Sequence, residues 1–243
     1  MVRHSRSGTR YWAVVAAAGG GTRMRAVQPK QYLEVHERPL IDYSISAFLQ
    51  LGWIDGVVAV LPRSDHRFGD LSVAKKPRVH AAAGGATRAD SVLAGLRKVS
   101  ELAVSDDART FVLVHDAARP CVVRKDIEKL RDAASDEQGG LLAVPVADTL
   151  KRADREQERA RETVDRRGLW RAQTPQLFRL DLLRNALEGC AAKGLDVTDE
   201  AGAMEASGYH PRLVTARQSN LKVTFPEDLA LAEFWLARQE SER

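Results

Sequence analysis

The sequence predicts an α/β fold in which a mostly parallel central sheet carries helices on both faces. Short, continuous apolar runs alternate with segments of helical periodicity, as expected for buried parallel strands joined by crossover helices. The length of 243 residues suits one large α/β domain. We therefore expect a short disordered lead over residues 1–10 and a single domain over residues 11–240.

The predicted strands are apolar runs that close at a glycine, a proline or a polar loop. They cover residues 11–18, 56–62, 78–85, 110–120, 139–146, 210–217 and 220–224, and the fourth runs on into a loop. Their nearly continuous apolar character indicates a sheet that is covered on both faces.

The predicted helices lie between these strands and after the last of them. They cover residues 39–52, 87–100, 124–135 and 226–239. The first stops at Gly52. The last has Pro226 near its first turn, acidic residues after it and Arg238 in its last turn, in keeping with helix capping and the helix dipole.

The composition and the start of the chain argue against several classes of protein. The start, MVRHSRSGTR, is basic and polar, and no apolar segment of signal-peptide length follows it, so we expect a cytoplasmic protein. No stretch approaches the roughly 20 apolar residues of a membrane span. Cys121 and Cys190 form no CxxC pair, so we expect buried or incidental thiols rather than a zinc, redox or catalytic site.

The stretch VVAAAGGGTRMRAVQPKQYL, residues 14–33, predicts a binding site for a polyanion. It is not a dinucleotide fingerprint, because Met24 stands at the third glycine position, and it lacks the Gly-Lys-Ser/Thr of a P-loop. Bare backbone at the three glycines would let N–H groups approach phosphates, with Arg23 and Lys30 adding charge on either side. These features favour a triphosphate; the alternative is a glycine-rich turn with solvated basic residues.

Three unusual segments follow predicted strands. They are the glycine loop after residue 18, GGATRADS after residue 83 and HDAARP after residue 114. In open parallel sheets, ligands bind beyond the carboxyl ends of the strands. We therefore expect the three segments to converge on one cleft.

Residues 149–173 break the alternating pattern. They are highly charged and carry no core-forming stripe before Leu169 and Trp170. Two interpretations stay open: a solvated, partly mobile insertion, or an arm that pairs with a second subunit.

Together, these motifs resemble the 2-C-methyl-D-erythritol 4-phosphate cytidylyltransferase family. The matching segments are AAAGGGTRM with PKQYL, GGATRADSVLAGL, VLVHDAARP, VDRRGLWRAQTPQ, TDEA and NLKVTFPEDLALAE, in the family's order. The resemblance implies a Rossmann-like nucleotidyltransferase fold and the substrates CTP and 2-C-methyl-D-erythritol 4-phosphate. It implies Mg²⁺ carried mainly on the CTP phosphates, with no protein metal site. It also implies a homodimer interlocked through an extended β-arm over about residues 147–173.

The resemblance also implies the site residues. Arg23 and Lys30 would stabilise the α-phosphate oxygens and the departing pyrophosphate, while Arg166 and Lys222 would hold the attacking phosphate in line. The residues expected to bind substrate are Ala18, Gly19, Gly20, Gly21, Thr22, Gly84, Gly85, Arg88, Ser91, Asp116, Ala117, Arg119, Thr149, Thr174 and Thr198.

Within this set, the backbone of Gly84 and Gly85 would read the pyrimidine edge, and Asp116 would meet substrate rather than metal. Ser91 would contact the nucleotide. Three residues are expected to reach a partner's acceptor from the arm region, namely Thr149, Arg166 and Thr174, whereas Thr198 and Lys222 would lie in the nucleotide's own cleft. Other interpretations stay open for three residues: a helix-surface hydroxyl for Ser91, and internal ion pairs for Arg88 and Arg119. We expect His115 to be a packed neighbour.

Two other functions fit part of the pattern. A ribitol 5-phosphate cytidylyltransferase would share the CTP loops, but TDEA and VDRRGLW favour methylerythritol phosphate. A non-catalytic nucleotide- or nucleic-acid-binding module would suit the net charge of +4, from 37 basic and 33 acidic residues. Such a module needs aromatic residues among the basic ones, and the Arg-rich segment has none before Trp170. We therefore expect neither a nucleic acid nor a membrane as partner.

Overall fold

The computed structural model describes residues 8–19, 28–103, 109–154 and 159–241. The strands are β1 (Arg10–Ala16), β2 (Glu34–Val35), β3 (Arg38–Pro39), β4 (Gly56–Leu61), β5 (Val79–Ala83), β6 (Thr110–Asp116), β7 (Gly140–Pro145), β8 (Leu150–Ala153), β9 (Ala160–Val164), β10 (Trp170–Arg179) and β11 (Arg212–Thr215). The helices are α1 (Leu40–Leu49), α2 (Arg88–Ala103), α3 (Arg124–Ala134), α4 (Leu180–Ala192), α5 (Glu200–Ala206) and α6 (Glu227–Ser241).

The central sheet has seven strands in the order β11-β7-β10-β6-β1-β4-β5. β10 runs antiparallel to both of its neighbours, and the other adjacent pairs are parallel. The predicted mostly parallel sheet is therefore confirmed, with one antiparallel strand inside it.

Apolar side chains of β1 alternate between two hydrophobic clusters, one on each face of the sheet. Ala13 and Val15 belong to the cluster that includes α1 and α3, and Trp12 and Val14 to the one that includes α2 and α4. This alternation explains why β1 reads as a continuous apolar run: both of its faces are covered. Among the described residues, no helix is long and apolar enough to cross a membrane.

Most predicted elements are confirmed to within a few residues, but the strand predicted over 220–224 is wrong. This segment is irregular and crosses the carboxyl ends of the strands, where Val223 N–H donates to the Ala118 carbonyl at 2.8 Å. Its alternating apolar residues pack against α6 and the start of α1 instead of joining a sheet.

Among the described elements, five had no counterpart among the predictions: β2, β3, β10, α4 and α5. The sequence did not predict β10 as a strand because three buried polar residues interrupt its apolar pattern. They are Gln173, Thr174 and Gln176. The alternation rule for strands assumes apolar residues on the covered faces, and these positions violate it.

The charged insertion contains a two-stranded antiparallel hairpin formed by β8 and β9. Nearly all of its described residues are exposed. Residues 170–173 belong to β10 of the central sheet, so the arm boundary expected at about 173 falls inside that strand.

Gly95 of α2 lets the helix pack closely on the sheet. A Cβ at this position would lie 2.5 Å from Val14 Cγ1 and 2.8 Å from Val60 Cγ2. Both valines are fully buried and cannot move aside easily.

We expect Gly95→Ala to lower the free energy of unfolding by about 1–2 kcal/mol, because overpacking outweighs the gain in helix propensity. Urea denaturation measures this change. Gly189→Ala in α4 is the matched control, since nothing lies within 4 Å of the added Cβ. It should raise stability by up to about 1 kcal/mol. A stabilised Gly95→Ala protein would contradict the close packing.

Candidate active site

A cleft lies at the carboxyl ends of β1, β5 and β6. Its cavity of about 230 Å³ is lined by residues 16–19 after β1, residues 85–88 and 91 after β5, and residues 116–118 at the end of β6, together with Lys30, Gln31 and Lys222. The expected convergence of the three segments is therefore confirmed. The strand order explains it, because these strands lie close together in the sheet and point the same way.

A second cavity of about 200 Å³ adjoins the first and shares three of its residues, Arg88, Asp116 and Lys222. The remaining lining residues are Arg119, Ala172, Gln173, Thr174, Gln176, Thr198 and Asp199. Two cavities with a common wall of charged side chains offer places for two ligands side by side.

The first cavity contains much of the predicted nucleotide site. Ala18, Gly19 and Ala117 line it, and so does Lys30, which begins a short 3-10 turn over Lys30–Tyr32. Four other predicted residues lie outside the described residues, namely Gly20, Gly21, Thr22 and Arg23.

The loop after β5 uses its own hydrogen bonds to hold its shape. Gly84 N–H donates to the Leu61 carbonyl at 2.7 Å, and Gly85 N–H donates to Ser91 Oγ at 3.1 Å. These two N–H groups are therefore engaged, so a base could meet Gly84 or Gly85 only through carbonyl groups. A Cβ on Gly84 would lie 2.5 Å from Ala18 Cβ, which makes glycine necessary where the two loops touch.

Ser91 is buried, so the alternative of a helix-surface hydroxyl is wrong. Its Oγ donates to the Thr87 carbonyl at 2.9 Å while accepting from Gly85 N–H. The hydroxyl thereby joins the first turn of α2 to the loop that lines the cavity.

Asp116 ends β6 with its carboxylate among three cations. Oδ1 accepts from Arg88 Nη2 at 3.1 Å, and Oδ2 lies 2.8 Å from Lys222 Nζ and 3.6 Å from Arg119 Nε. Burial alone would raise the pKa of Asp116, but the charges of Arg88, Lys222 and Arg119 outweigh it and hold the pKa well below the usual range. At neutral pH the side chain is a carboxylate that can only accept hydrogen bonds.

Arg88 also pairs with Glu200, a residue for which the sequence predicted no role. Glu200 Oε1 lies 2.5 Å from Arg88 Nη1, and its Oε2 lies 3.2 Å from Nη2. Burial raises the pKa of Glu200, and the charge of Arg88 opposes that rise. The internal ion pair left open for Arg88 is confirmed. Glu200 stands in the TDEA motif, but an acid in the first turn of a helix gives no signal that it is buried.

Arg119 is likewise anchored inside the protein. It forms its ion pair with Asp116, and its Nη1 donates to the Asn220 carbonyl at 2.9 Å. The internal ion pair left open for this residue is therefore also confirmed.

His115 is a buried neighbour of the site, as predicted. His115 Nε2 lies 3.1 Å from the Arg119 carbonyl, which can only accept, so the proton of the neutral ring is on Nε2. Nδ1 is then an acceptor and receives the hydrogen of Thr174 Oγ1, 3.0 Å away, while Thr174 Oγ1 accepts from Asp116 N–H at 3.0 Å. Burial lowers the pKa of His115 to about 4, which keeps the ring uncharged.

The expected location of Thr174 needs correction. We expected it to reach a partner's acceptor from the arm region, but it lies in β10, buried beneath Asp116, and lines the second cavity of its own chain. The reason is that β10 returns the chain to the central sheet between β6 and β7 before residue 174. Thr198 was expected in the nucleotide's own cleft, but it lines this second cavity and not the first, whereas Lys222 lines both.

Thr149 and Arg166 are not brought together with the other predicted residues of this chain. They flank the β8–β9 hairpin, are exposed, and line neither cavity. Arg167, to which we gave no role, forms an exposed ion pair with Asp165.

Buried amides connect the second cavity to its surroundings, and the sequence did not predict them. Gln176 Nε2 donates to Asp199 Oδ2 at 2.9 Å, while its Oε1 accepts from Ala201 N–H at 2.8 Å. Asn220 Nδ2 donates to the Thr174 carbonyl at 2.8 Å and to Gln173 Oε1 at 2.9 Å. These bonds tie α5 and the segment before Lys222 to β10. Isolated amides in a sequence carry no signal for such roles.

The described residues do not form a protein-held metal centre. No three His, Cys, Asp or Glu side chains among them are grouped as metal ligands. Asp116, the carboxylate common to both cavities, has its charge compensated by Arg88, Lys222 and Arg119. A divalent cation at Asp116 would have to compete with these three cations.

Both cysteines are buried, free thiols, as predicted. Burial raises the pKa of Cys121 to about 12, so this thiol stays protonated and unreactive at neutral pH.

Comparison with known proteins agrees with the geometry. The model of the family described as IspD, 2-C-methyl-D-erythritol 4-phosphate cytidylyltransferase, matches residues 11–238. The enzyme of that name from Aromatoleum aromaticum is 52% identical over 235 residues, covering 96% of this chain and 97% of its own length. The one from Vibrio vulnificus strain CMCP6 is 46% identical over 240 residues, covering 98% of this chain and 100% of its own length.

Two solved structures have the same fold and similar sequences. A 4-diphosphocytidyl-2C-methyl-D-erythritol synthase superposes with a TM-score of 0.81 at 37% identity, covering 94% of this chain and 99% of its own. The 2-C-methyl-D-erythritol 4-phosphate cytidylyltransferase from Thermus thermophilus has a TM-score of 0.76 at 33% identity, covering 95% and 99%. From the sequence match, the shared fold and the composition of the cleft, we conclude that this chain belongs to the 2-C-methyl-D-erythritol 4-phosphate cytidylyltransferase family.

Proposed function

We propose that the cleft transfers the cytidylyl group of CTP to 2-C-methyl-D-erythritol 4-phosphate, the activity for which the family is named. The products are 4-diphosphocytidyl-2-C-methyl-D-erythritol and pyrophosphate, and the reaction belongs to the non-mevalonate isoprenoid pathway. The observation that carries the proposal is the pair of adjoining cavities, one behind the glycine segment and one beside Thr198, which share Asp116 and Lys222.

The chemistry requires no general base. A phosphate monoester has a second pKa of about 6, so the attacking oxygen is already an anion at neutral pH. It attacks the α-phosphorus of CTP, the bond to the β-phosphate oxygen breaks, and pyrophosphate leaves with that electron pair. The main obstacle is the repulsion between two polyanions, which charge neutralisation and alignment in the cleft would overcome.

We assign Arg23 and Lys30 to the phosphates of CTP, Arg23 on sequence grounds alone. Lys30 supports this role from the wall of the first cavity. Its ammonium would meet charge that develops on the α-phosphate oxygens and the leaving group, where a preorganised cation lowers the barrier most.

Lys222 is the cation best placed to change partners when the acceptor binds. Arg88 is held by Glu200 and Arg119 by the Asn220 carbonyl, whereas Lys222 has 37% of its side chain exposed and lines both cavities. We propose that its ammonium turns to the acceptor phosphate. Asp116 Oδ2 would then be released to accept a hydrogen bond from a hydroxyl group of the acceptor.

Magnesium is proposed as an ion that CTP brings on its phosphates, where it would neutralise charge. The protein's own cations perform the positioning described above, and no step is assigned to the metal. Because both substrates are phosphorylated metabolites, we place the reaction in the cytoplasm.

We further propose a homodimer in which the hairpin of each subunit reaches the partner's second cavity. The support is that Thr149 and Arg166 flank an exposed hairpin and line neither of the two cavities described for their own chain. Arg166 would then provide the second cation on the acceptor phosphate.

The choice of acceptor tests the proposed function directly. With CTP and Mg²⁺, we expect pyrophosphate release with 2-C-methyl-D-erythritol 4-phosphate and none above background with ribitol 5-phosphate. Release with ribitol 5-phosphate alone would overturn the acceptor assignment and keep the CTP site. Release with neither acceptor, from folded protein, would overturn the activity.

We expect Arg23→Ala and Lys30→Ala each to lower turnover roughly a hundredfold or more, because each removes a cation that stabilises the transition state. Steady-state kinetics measures the loss, and circular dichroism checks the fold. Arg97→Ala is the matched control, since Arg97 forms an exposed ion pair with Glu188 away from the cleft. Near-normal turnover of either cleft variant would contradict its role.

Mixed dimers test the shared site. Lys30→Ala and Arg166→Ala subunits should each be nearly inactive alone. A reassorted mixture should recover about a quarter of the wild-type turnover, because half of the dimers contain one site with both native residues. No recovery in a mixture with demonstrated subunit exchange, or full activity of a monomer, would contradict a site shared between subunits.

A further inference from the structure

Lys30 lies in the connection between β1 and β2, in a single 3-10 turn outside the central sheet. Residues 20–27 of this connection lie outside the described residues. A lysine side chain has four flexible carbons, so the place its ammonium can reach depends on how firmly its backbone is held.

Two side-chain hydrogen bonds, one on each side of Lys30 in the sequence, join its neighbours to the segment that follows β4. Two residues after the lysine, Tyr32 Oη donates to Asp65 Oδ2 at 2.7 Å. Two residues before it, Gln28 Oε1 accepts from Arg67 Nη1 at 3.1 Å. Both partners belong to the segment that follows β4, residues 62–70, which we call the β4–β5 connection.

The β4–β5 connection is itself well ordered at these residues. Asp65 Oδ1 accepts from the backbone N–H of Arg67 at 3.1 Å and from that of Phe68 at 3.0 Å. Phe68 is buried in the hydrophobic cluster beneath α1. One carboxylate thus shapes the connection with one oxygen and holds Tyr32 with the other.

The bond between Arg67 and Gln28 adds little to global stability. Arg67 is exposed, and hydrogen bonds of exposed groups contribute little to the free energy of unfolding. The Tyr32 ring is buried and would stay buried without its hydroxyl. Burial, followed by the interaction with Asp65, raises the pKa of Tyr32, so the phenol remains a donor over the physiological pH range. We therefore expect these contacts to affect the position of Lys30 more than the free energy of unfolding.

We infer that Asp65 and Arg67 are positioning residues that hold Lys30 against the phosphates of CTP, by way of Tyr32 and Gln28. The inference rests on the proposed role of Lys30. It adds to the residues important for catalysis two that line neither cavity. A displacement of about 1 Å at a catalytic group can cost a hundredfold in rate, so two weak bonds that prevent it matter to turnover.

The test uses Tyr32→Phe, Arg67→Met and the double variant in the full-length protein. We expect each single change to lower kcat roughly five- to tenfold and the double change to approach the loss of Lys30→Ala. The KM for CTP should change less than kcat, because Lys30 acts mainly in the transition state. The midpoint of urea unfolding should stay close to that of the wild type.

Repeating both changes in the Lys30→Ala background distinguishes positioning from a general structural role. With no ammonium to place, they should lower kcat by less than about twofold. Equal losses in both backgrounds, or single variants with unchanged kcat while Lys30→Ala is impaired, would overturn the inference alone. A Lys30→Ala protein with normal turnover would overturn both the role of Lys30 and the inference.

Two matched controls remove the same chemical groups elsewhere. Tyr11→Phe deletes a hydroxyl that donates to Ser135 Oγ at 3.0 Å, at the opposite end of β1 from the cleft. Arg63→Met removes an exposed charge from the same β4–β5 connection. Both should keep kcat within about twofold of the wild type. A loss as large as that of Tyr32→Phe or Arg67→Met would contradict a specific tether.

Discussion

The geometry of the cleft depends on one buried carboxylate, that of Asp116 at the end of β6. Its low pKa is possible only because Arg88, Lys222 and Arg119 surround it, and each comes from a different part of the chain. Burying a charge without such partners would cost several kcal/mol. The ion pairs therefore fix where α2, the loop after β6 and the segment before α6 meet.

The same arrangement separates fixed cations from a movable one. Glu200 and the Asn220 carbonyl hold the two guanidinium groups, so their charge stays in the wall of the cavities. Lys222 has a flexible stem and partial exposure, and in the proposed reaction an incoming phosphate replaces its ion pair with Asp116. A site built this way can attract polyanions without holding a bare, unpaired charge before they arrive.

The antiparallel strand β10 explains how two cavities come to adjoin. It inserts between β6 and β7 and places buried polar groups directly beneath Asp116, where Thr174 links the strand to His115. The groups beneath Asp116 are polar but uncharged, because His115 is neutral and the nearby amides of Gln176 and Asn220 are hydrogen-bonded. The charge in the cleft thus comes from the cations in its wall and from the carboxylates Asp116 and Asp199, while Glu200 compensates part of the charge of Arg88.

The sequence by itself determined the mostly parallel sheet, most strand and helix positions, the convergence of three loops, and the family. Continuous apolar runs and glycine-rich strand ends carry that information locally. The catalytic and binding roles of the site residues stay predictions. Only the tertiary structure decided that β10 is a strand, that Thr174 lies beneath Asp116, that Glu200 pairs with Arg88, and that Asp65 and Arg67 bond to the neighbours of Lys30. These residues act through partners distant in sequence, and whether a polar side chain is buried and paired depends on packing that no local pattern records.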